Sequence, residues 1–380
     1  MPAIRNTLIV GAGISGLTAG IALRRAGIAV EIAEMQANVA EQAGVGLSLQ
    51  GNCIAALGKL DLAAACISAG MATSYINLRR PDGVLIAHQP VLQTGGPAYP
   101  GTAGISRKAL HQILLQGAAD AGCNLRLGTA FKSATSERDN VRVEFSDGSS
   151  GAYDLLIGAD GIRSKVRASL FPDVQPSFCG QVIWRADVPR PKGNFTTELH
   201  FGGPYGVVGI CPISTDDAYL YLLETAPEPS RAQPPVTGAQ LRDKLASYGG
   251  PLLTEATSHL SASKNVSMRA IEQLLVPDIW HRGRIVIIGD AAHANPPVLA
   301  QGAAMGIEDA LVLAEELSCE RSDADLEARL TSFAKRRLPR AGMVVKNSVQ
   351  LSEWETTHKA TPQDVGRVMR ETQTALSLPP

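Results

Sequence analysis

A β-α-β unit with a glycine-rich first turn opens the chain and constrains the fold more than any other feature. Residues 7–10 form the short apolar run typical of a buried parallel strand. A glycine turn over 11–16, a helical stretch from about 15 to 26 and a second strand over 29–33 follow. This succession is a complete β-α-β unit, and it predicts an α/β fold with a Rossmann-like domain.

The turn has the spacing Gly11-x-Gly13-x-x-Gly16 of a dinucleotide-binding site. Gly11 permits the tight turn, Gly13 lets the backbone approach a pyrophosphate, and Gly16 lets the helix pack closely on the strand. Ser15 belongs to the same turn, and we expect it to contact the cofactor. Glu34 ends the second strand, where its carboxylate can accept hydrogen bonds from ribose hydroxyls and disfavours a 2′-phosphate. The alternative is a structural turn without a ligand.

A second ligand-contacting segment is expected over 284–310, far downstream. An apolar strand ends at Gly289-Asp290, a rigid segment containing Pro297 follows, and Gln301-Gly302 opens a helix. The Asp290 carboxylate can hold the polyol of a ribityl chain. The free N–H groups of the helix can face the pyrimidine end of an isoalloxazine and stabilise negative charge on the reduced flavin. Together the two segments indicate FAD, against the alternative of a loop–helix junction without a ligand.

The nucleotide-binding elements alternate with sheet-rich stretches, which indicates one domain inserted into another. We expect an antiparallel-sheet substrate domain and a helical C-terminal region beside the Rossmann-like FAD-binding domain. The predicted bounds are 1–70, 100–175 and 281–350 for the FAD-binding domain, 71–99 and 176–280 for the substrate domain, and 351–380 for the C-terminal tail. A chain of 380 residues is long enough for this arrangement.

Charge and cysteine content exclude several classes of protein. Lys and Arg number 35 against 36 Asp and Glu, so no global basic field attracts nucleic acid or a membrane. The six cysteines form no CxxC pair, which favours reduced thiols over a metal site or a disulfide framework. The N-terminus lacks the pattern of a signal peptide and no apolar run is long enough to span a membrane, so we expect a cytoplasmic protein, monomeric or homodimeric.

Five motifs in order resemble the fingerprint of the single-component, FAD-dependent aromatic monooxygenases, the para-hydroxybenzoate hydroxylase family. They are the 11–16 turn, Glu34, the segment at Arg107, the Asp160-Gly161 turn and the 289–309 segment. The resemblance covers about residues 5–350. It implies that Glu34 binds the adenosine ribose, Arg107 the ribose or pyrophosphate region, and Asp290 the ribityl-pyrophosphate region. It also implies that Asp160-Gly161 contributes to FAD and NAD(P)H handling.

The loop over 40–52, with Gly44 and Gly46, also has the composition of a ligand-contacting loop, and Gly46 is counted among the cofactor-binding residues.

Two positions depart from the family pattern. Met35 follows Glu34 where many members carry Arg. Ala300 stands where the usual motif has Gly, and its Cβ disfavours a positive φ, so we expect a local difference in the loop. The Ala-Gln-Gly form resembles the 6-hydroxynicotinate 3-monooxygenase branch.

The resemblance implies the reaction. NADH or NADPH reduces FAD, O₂ adds at flavin C4a, and the hydroperoxide transfers oxygen to a hydroxylated aromatic or N-heteroaromatic ring, such as 6-hydroxynicotinate or 6-hydroxy-3-succinoylpyridine. The alternatives are a flavin-dependent reductase or oxidase without oxygen insertion, and a flavin-binding redox sensor without enzymatic activity.

A ring hydroxyl must lose its proton in such a reaction, so the pocket needs a base or a hydrogen-bond acceptor. The candidates are His200, Tyr205, Cys211, Tyr219 and Tyr221 from the inserted sheet, and His293 near the flavin loop. Arg185 can pair with a substrate carboxylate or form a structural ion pair. The basic group Lys335-Arg336-Arg337…Arg340 is interpreted as a solvated helix face.

Overall fold

The fold is known from a computed structural model that describes residues 4–39, 45–229, 235–263, 265–318 and 326–380. Gly44 and Cys319 lie outside these ranges. The strands are β1 (Asn6–Val10), β2 (Ala29–Ala33), β3 (Gly46–Gln50), β4 (Met71–Thr73), β5 (Tyr75–Arg79), β6 (Leu85–Pro90), β7 (Thr102–Ser106), β8 (Asn124–Arg126), β9 (Phe131–Ser136), β10 (Val141–Phe145), β11 (Ser150–Tyr153), β12 (Leu155–Gly158), β13 (Ser177–Pro189), β14 (Thr197–Gly203), β15 (Gly206–Pro212), β16 (Asp217–Thr225), β17 (Val266–Gln273), β18 (His281–Arg282) and β19 (Ile285–Ile287).

The helices are α1 (Ile14–Arg25), α2 (Gly51–Gly58), α3 (Ala63–Ala69), α4 (Arg107–Asp120), α5 (Lys165–Leu170), α6 (Gly238–Leu245), α7 (Pro251–Ser258), α8 (Asp290–His293), α9 (Gly302–Ser318), α10 (Leu326–Thr357) and α11 (Pro362–Leu376). None of these helices is both long and apolar enough to cross a membrane.

A six-stranded sheet in the order β18-β19-β12-β1-β2-β8 confirms the predicted Rossmann-like domain. Its strands run parallel except for β18 on β19. The apolar runs of β1, β12 and β19 are almost fully buried, as expected for parallel strands covered on both faces. The carboxyl ends of β1, β12 and β19 therefore lie side by side, and the turns that follow them form one edge.

A seven-stranded sheet in the order β17-β13-β16-β15-β14-β5-β6 forms the inserted part. The prediction of an antiparallel sheet needs one correction, because β5 pairs with β14 in parallel. Alternate residues of β13, β15 and β16 point to opposite faces. One face, which includes Ala186, Ile210 and Leu220, packs under α6 and α7. The other face carries Arg185 and Tyr221 in one row and Cys211 and Tyr219 in the next.

The small sheet β3-β7-β4 joins the two large sheets. A methyl group built at Gly46 of β3 would lie 2.7 Å from Tyr219 Cβ, and one at Gly104 of β7 would lie 2.8 Å from Cys211 Sγ. The face with Cys211 and Tyr219 is therefore the face that meets the nucleotide-binding part. The glycines permit this approach because any side chain there would collide with the partner sheet.

The C-terminal helices brace the segment that follows β19. α10 continues across residue 350, so the predicted boundary between domain and tail falls inside one helix. Val365 and Val368 of α11 pack with Leu299 and Leu351, beside the loop that precedes α9. The tail is thus part of the wall behind the predicted flavin loop.

Candidate active site

The first turn has the close contacts that its glycines predict. Gly11 has a φ of +105°, and a methyl group there would lie 2.5 Å from the Ala159 carbonyl oxygen. A methyl group at Gly16 would lie 1.9 Å from the Gly11 carbonyl oxygen, so α1 packs directly on the turn. A methyl group built at Gly13 would have no atom of the described residues within 4 Å, apart from its chain neighbours and its own helix. This leaves room at the N-terminus of α1, where a pyrophosphate would bind.

Glu34 is buried at the end of β2 and joins the turn to its own strand. Its Oε2 accepts a hydrogen bond from the Ala12 backbone N–H at 2.9 Å, and its Oε1 accepts one from Gln36 N–H at 2.9 Å. A carboxylate has further acceptor capacity for ribose hydroxyls. The sequence interpretation missed His111, whose Nε2 lies 2.8 Å from the Ala12 carbonyl oxygen. Only a long-range contact brings His111 to the turn, so no local motif could indicate it.

The carboxylate of Asp160 caps a helix. Ser164 Oγ donates to it at 2.5 Å, and the Lys165 and Val166 N–H groups donate at 2.7 and 3.2 Å. Both of its oxygens therefore bind the start of α5, and the contribution of the Asp160-Gly161 turn to FAD and NAD(P)H handling stays a prediction. The Asp160 backbone still lies against the first turn, because a methyl group at Gly11 would lie 3.1 Å from its Cα.

Ser15 also has a packing role. Methyl groups at Gly289 and Gly306 would lie 2.3 and 2.0 Å from Ser15 Oγ. The hydroxyl is therefore directed into the crossing of α1 with α9, where the two glycines make space for it. This contact fixes the first turn relative to the 289–309 segment.

Arg107 and Asp290 line a cleft between the two segments. Solvent reaches both side chains, but protein atoms pack around them on most sides. Burial raises the pKa of Asp290, and the charges of His293 and Arg107 partly offset the rise. Burial lowers the pKa of Arg107. The charge of Asp290 raises this pKa, and the like charge of Arg185 lowers it further. Ser106 caps α4 by accepting from Ala109 N–H at 3.1 Å, and so sets where Arg107 begins the helix.

The loop before α9 keeps a left-handed residue without a glycine. Pro297–Leu299 forms a 3-10 turn, and Ala300 follows with φ 51° and ψ 36°. The expectation that the Cβ of Ala300 would change the path is wrong, since the residue adopts the left-handed conformation itself. Gln301 is buried and faces away from the cleft, exchanging amide hydrogen bonds of 3.0 and 3.1 Å with Asn52. Gly302, at the first turn of α9, remains partly exposed.

A buried ionic network lies behind this loop. Arg337 donates to Asp309 at 2.7 Å and to Glu308 at 2.8 Å, and Arg340 donates to Glu308 at 2.7 Å. Asp309 also accepts from Gly289 N–H at 2.8 Å. The interpretation of 335–340 as a solvated helix face is therefore wrong for Arg337, which has no exposed side-chain surface. The sequence signal was a run of arginines one helical turn apart, which a solvated face also produces.

Arg185 and Tyr219 lie together on the face of the seven-stranded sheet that meets the cleft. Arg185 Nε donates to Tyr219 Oη at 3.0 Å, and no described carboxylate forms an ion pair with Arg185. Tyr221 lies next to them, with its ring centroid 5.1 Å from that of Tyr219. Burial raises the pKa values of both phenols, so they are uncharged at neutral pH. This cluster can therefore present hydrogen-bond donors and the positive charge of Arg185 to the cleft.

The other predicted catalytic residues lie elsewhere. His200 is buried on the helix-covered face of the sheet, and Tyr205 lies on the β14–β15 hairpin with Lys244 over its ring at 4.5 Å. His293 is buried against Trp280 and bonds Asp309 at 2.6 Å. Cys211 is on the correct face, but burial raises the pKa of its thiol and it packs into the junction with β7. None of these four joins Arg185 and Tyr219 in the cleft.

The donor set fits a flavin dinucleotide. A glycine turn with an open face, an acidic residue at the end of β2, and the Arg107–Asp290 cleft lie at one edge of the parallel sheet. The charge of Arg185 acts on Arg107, so the Arg185–Tyr219 pair lies near the same residues. A Rossmann-type domain whose nucleotide cleft opens toward an inserted sheet defines an FAD-binding redox enzyme.

Comparison with known proteins specifies the class. Residues 5–348 match the FAD binding domain family. The chain is 34 % identical over 358 residues to the aurachin C monooxygenase/isomerase of Stigmatella aurantiaca, covering 92 % of this chain and 90 % of that protein. It is 33 % identical over 357 residues to the 2-heptyl-3-hydroxy-4(1H)-quinolone synthase of Pseudomonas aeruginosa, with the same coverage.

A solved structure shows the same fold. HpxO of Klebsiella pneumoniae, complexed with FAD and uric acid, superposes with a TM-score of 0.84 at 22 % identity, covering 99 % of this chain and 97 % of that one. The chain belongs to the FAD-dependent monooxygenases of the FAD binding domain family, and FAD and NAD(P)H are its redox cofactors.

Proposed function

We propose that the enzyme hydroxylates an N-heteroaromatic ring that bears a hydroxyl or oxo group, of the quinolone or hydroxypyridine type. The observation that carries this proposal is the Arg185–Tyr219 pair facing the cleft beside Arg107 and Asp290. One relative supports the ring class, since it is a 2-heptyl-3-hydroxy-4(1H)-quinolone synthase at 33 % identity.

The residues around the first turn and the cleft would hold FAD. Glu34 and the turn at Gly13 would bind the adenosine and pyrophosphate parts, and Arg107 with Asp290 the ribityl end. When bound, the cofactor supplies electron transfer from NAD(P)H and the activation of O₂. The remaining tasks belong to the protein: to position the ring, to ionise it and to exclude water.

Arg185 would stabilise the ionised form of the substrate. Its guanidinium is held by Tyr219 and has no described carboxylate partner, so its charge remains available to the cleft. An adjacent cation lowers the pKa of a ring hydroxyl, and loss of that proton makes the ring more electron-rich. Tyr219 would fix the orientation of the guanidinium because its own phenol stays protonated.

The test is turnover of a substrate panel by the FAD-loaded enzyme. The panel contains 4(1H)-quinolones, 6-hydroxynicotinate and 3-amino-4-hydroxybenzoate, with NADH or NADPH and ¹⁸O₂. We expect one ring class to accelerate NAD(P)H oxidation and to yield a product carrying one ¹⁸O atom by mass spectrometry. Faster NAD(P)H oxidation without label in any product would favour a reductase or oxidase and would overturn the proposal.

The role of Arg185 has its own test. Arg185→Met should lower kcat/KM about tenfold to hundredfold, the effect of removing a charge-assisted contact, and should move the acidic limb of the pH profile to higher pH. Arg190→Met is the matched control, because Arg190 bonds the Thr215 carbonyl oxygen at the far end of β13. Equal effects of the two substitutions would show that Arg185 does not act on the substrate.

A further inference from the structure

A second cavity, of about 290 Å³, lies between the β14–β15 hairpin and the C-terminal end of α10. Apolar side chains of the hairpin line one wall, including Phe201, Pro204 and Val207, and Glu355 and Thr356 of α10 line the other. At roughly 30 Å³ per water molecule, this volume is enough for a substituent of several heavy atoms. The proposed chemistry at Arg185 and Tyr219 does not use it.

The cavity lies along the same sheet face as the proposed reaction site. Val207 and Cys211 both point to this face, because they are four residues apart in β15. Tyr221 pairs with Gly209 between them, and a methyl group at Gly209 would lie 2.1 Å from the Tyr221 ring. Four residues of strand span about 13 Å. Arg185 lies in the row of Tyr221 and Gly209, so a substituent that extends from a ring held there along this face, past Ile183 and Leu223, would reach the hairpin.

Glu355 is the polar group that distinguishes this cavity. Its Oε1 is buried and forms no hydrogen bond of normal geometry among the described residues, and the Nε2 of the nearby Gln181 amide is likewise unpartnered. A β-bulge between Phe178 and Val182 places Gln181 beside it, and Ser352 of α10 donates to the Gln181 side-chain oxygen. A buried carboxyl oxygen without a partner is costly, and a ligand that donates a hydrogen bond would satisfy it.

Resting on the proposed function, we propose that this cavity is a specificity subsite for an uncharged, hydrogen-bond-donating substituent of the substrate, with Glu355 as the acceptor. An amide, amine or hydroxyl group would bind there, and a carboxylate would be repelled while Glu355 is ionised. The hydroxypyridine acids named above would therefore be poorer substrates than their uncharged analogues.

The discrimination should depend on pH. Burial raises the pKa of Glu355 to about 7, with the Gln181 amide partly offsetting the rise. Below this value the protonated group tolerates a carboxylate, and above it the ionised group excludes one. Burial also raises the pKa values of Tyr221 and Tyr248, so both phenols stay neutral across this range. The nearby charge of Lys244, on α6, is paired with Glu224 at 2.6 Å. His358 is a further titratable group that lines the cavity.

The experiment compares two 4(1H)-quinolones whose 2-alkyl chain, long enough to span this distance, ends in a carboxamide or in the matching carboxylate, so that they differ only in the group that would enter the cavity. Binding to the FAD-loaded enzyme is followed by the change in flavin absorbance, and kcat/KM is measured where turnover occurs. The wild type should prefer the amide at pH 8 by about tenfold to hundredfold, and the preference should fall severalfold at pH 6.

Four variants assign the effect. Glu355→Gln should make the preference independent of pH, and Glu355→Leu should also weaken amide binding about tenfold or more. Glu353→Gln, at an exposed position on the same helix, should behave as wild type. His358→Gln should keep the pH dependence if Glu355 causes it. The same preference in wild type and Glu355→Gln, or a carboxylate preference at pH 8, would overturn the subsite.

The two proposals fail separately. The binding titration does not require turnover, so a quinolone that binds with the expected pH dependence but gains no oxygen would refute the proposed function alone. Labelled product formed with equal affinity for amide and carboxylate would refute the subsite alone.

Discussion

Replacing Arg337 by Met tests the buried ionic network most directly. The substitution leaves Glu308 with Arg340 and Asn52, but leaves Asp309 with only His293 and the Gly289 N–H. Removing one partner of a buried pair typically costs about 3–5 kcal/mol because the other charge stays buried. We expect a loss of this size in the free energy of unfolding at pH 7.

The change of the unfolding free energy with pH gives a second test of the network. Burial alone would raise the pKa of Asp309, but the charges of His293 and Arg337 hold it at about 2. A carboxyl whose pKa is lowered from 3.8 to about 2 contributes about 2 kcal/mol of stability above its unfolded-state pKa. This contribution is lost as the pH falls toward 2. The difference between wild type and Arg337→Met should therefore be full at pH 7 and shrink below about pH 4.

The assay is urea unfolding followed by far-ultraviolet circular dichroism on the FAD-loaded protein. Arg336→Met is the matched control, because Arg336 and its partner Glu315 are partly exposed, although Glu316 is largely covered, and exposed pairs contribute about 0–1 kcal/mol. Arg337→Lys keeps the charge and should fold if the Met variant does not, with an intermediate loss. A loss at Arg337 no larger than at Arg336, or one that does not change with pH, would refute the reasoning.

Three further predictions follow from local geometry. Ala300→Gly should stabilise the protein by about 1 kcal/mol, because it removes the strain of an alanine in the left-handed conformation. Ala303→Gly, in the first turn of α9, should instead cost up to about 1 kcal/mol. Equal shifts of Tm for the two variants in thermal unfolding without urea would contradict this. Glu34→Ala should weaken FAD binding about tenfold to hundredfold in reconstitution followed by flavin fluorescence, because two backbone amides lose their acceptor; unchanged affinity would show that the carboxylate is dispensable. Gly46→Ala should cost about 1–3 kcal/mol of unfolding free energy, because its methyl group would collide with the facing tyrosine of the substrate sheet. Gly342→Ala, in a helix with no atom closer than 3.7 Å, should be neutral or stabilising, and a similar loss at both glycines would argue against the collision.

Local motifs predicted the backbone geometry of the first turn. The glycine spacing and the acidic end of β2 belong to one β-α-β unit, so sequence alone indicates them. The FAD cofactor and the Rossmann-like domain followed from the same motifs and are confirmed.

The side chains near the substrate could not be predicted in the same way. Six polar residues of the inserted sheet and the flavin loop were candidates, and period-two alternation cannot tell which face meets the cofactor. The structure turns Tyr219 toward the small sheet and Arg185, and His200 toward the helix-covered face of the large sheet. Glu355 was not a candidate at all, since it is distant in sequence from every motif and reaches the hairpin only through the length and packing of α10.

Sequence by itself determined the class of fold, the cofactor and the positions of the glycine-rich turns, because those depend on backbone conformations that only certain residues adopt. Tertiary structure decided which charges are buried and which side chains face the substrate. Arg337 and Arg336 are neighbours with the same chemistry, yet one has no exposed side-chain surface and the other keeps about a third of its own. That difference comes from the packing of α10 on α9, and burial makes a charge costly unless a partner is held against it.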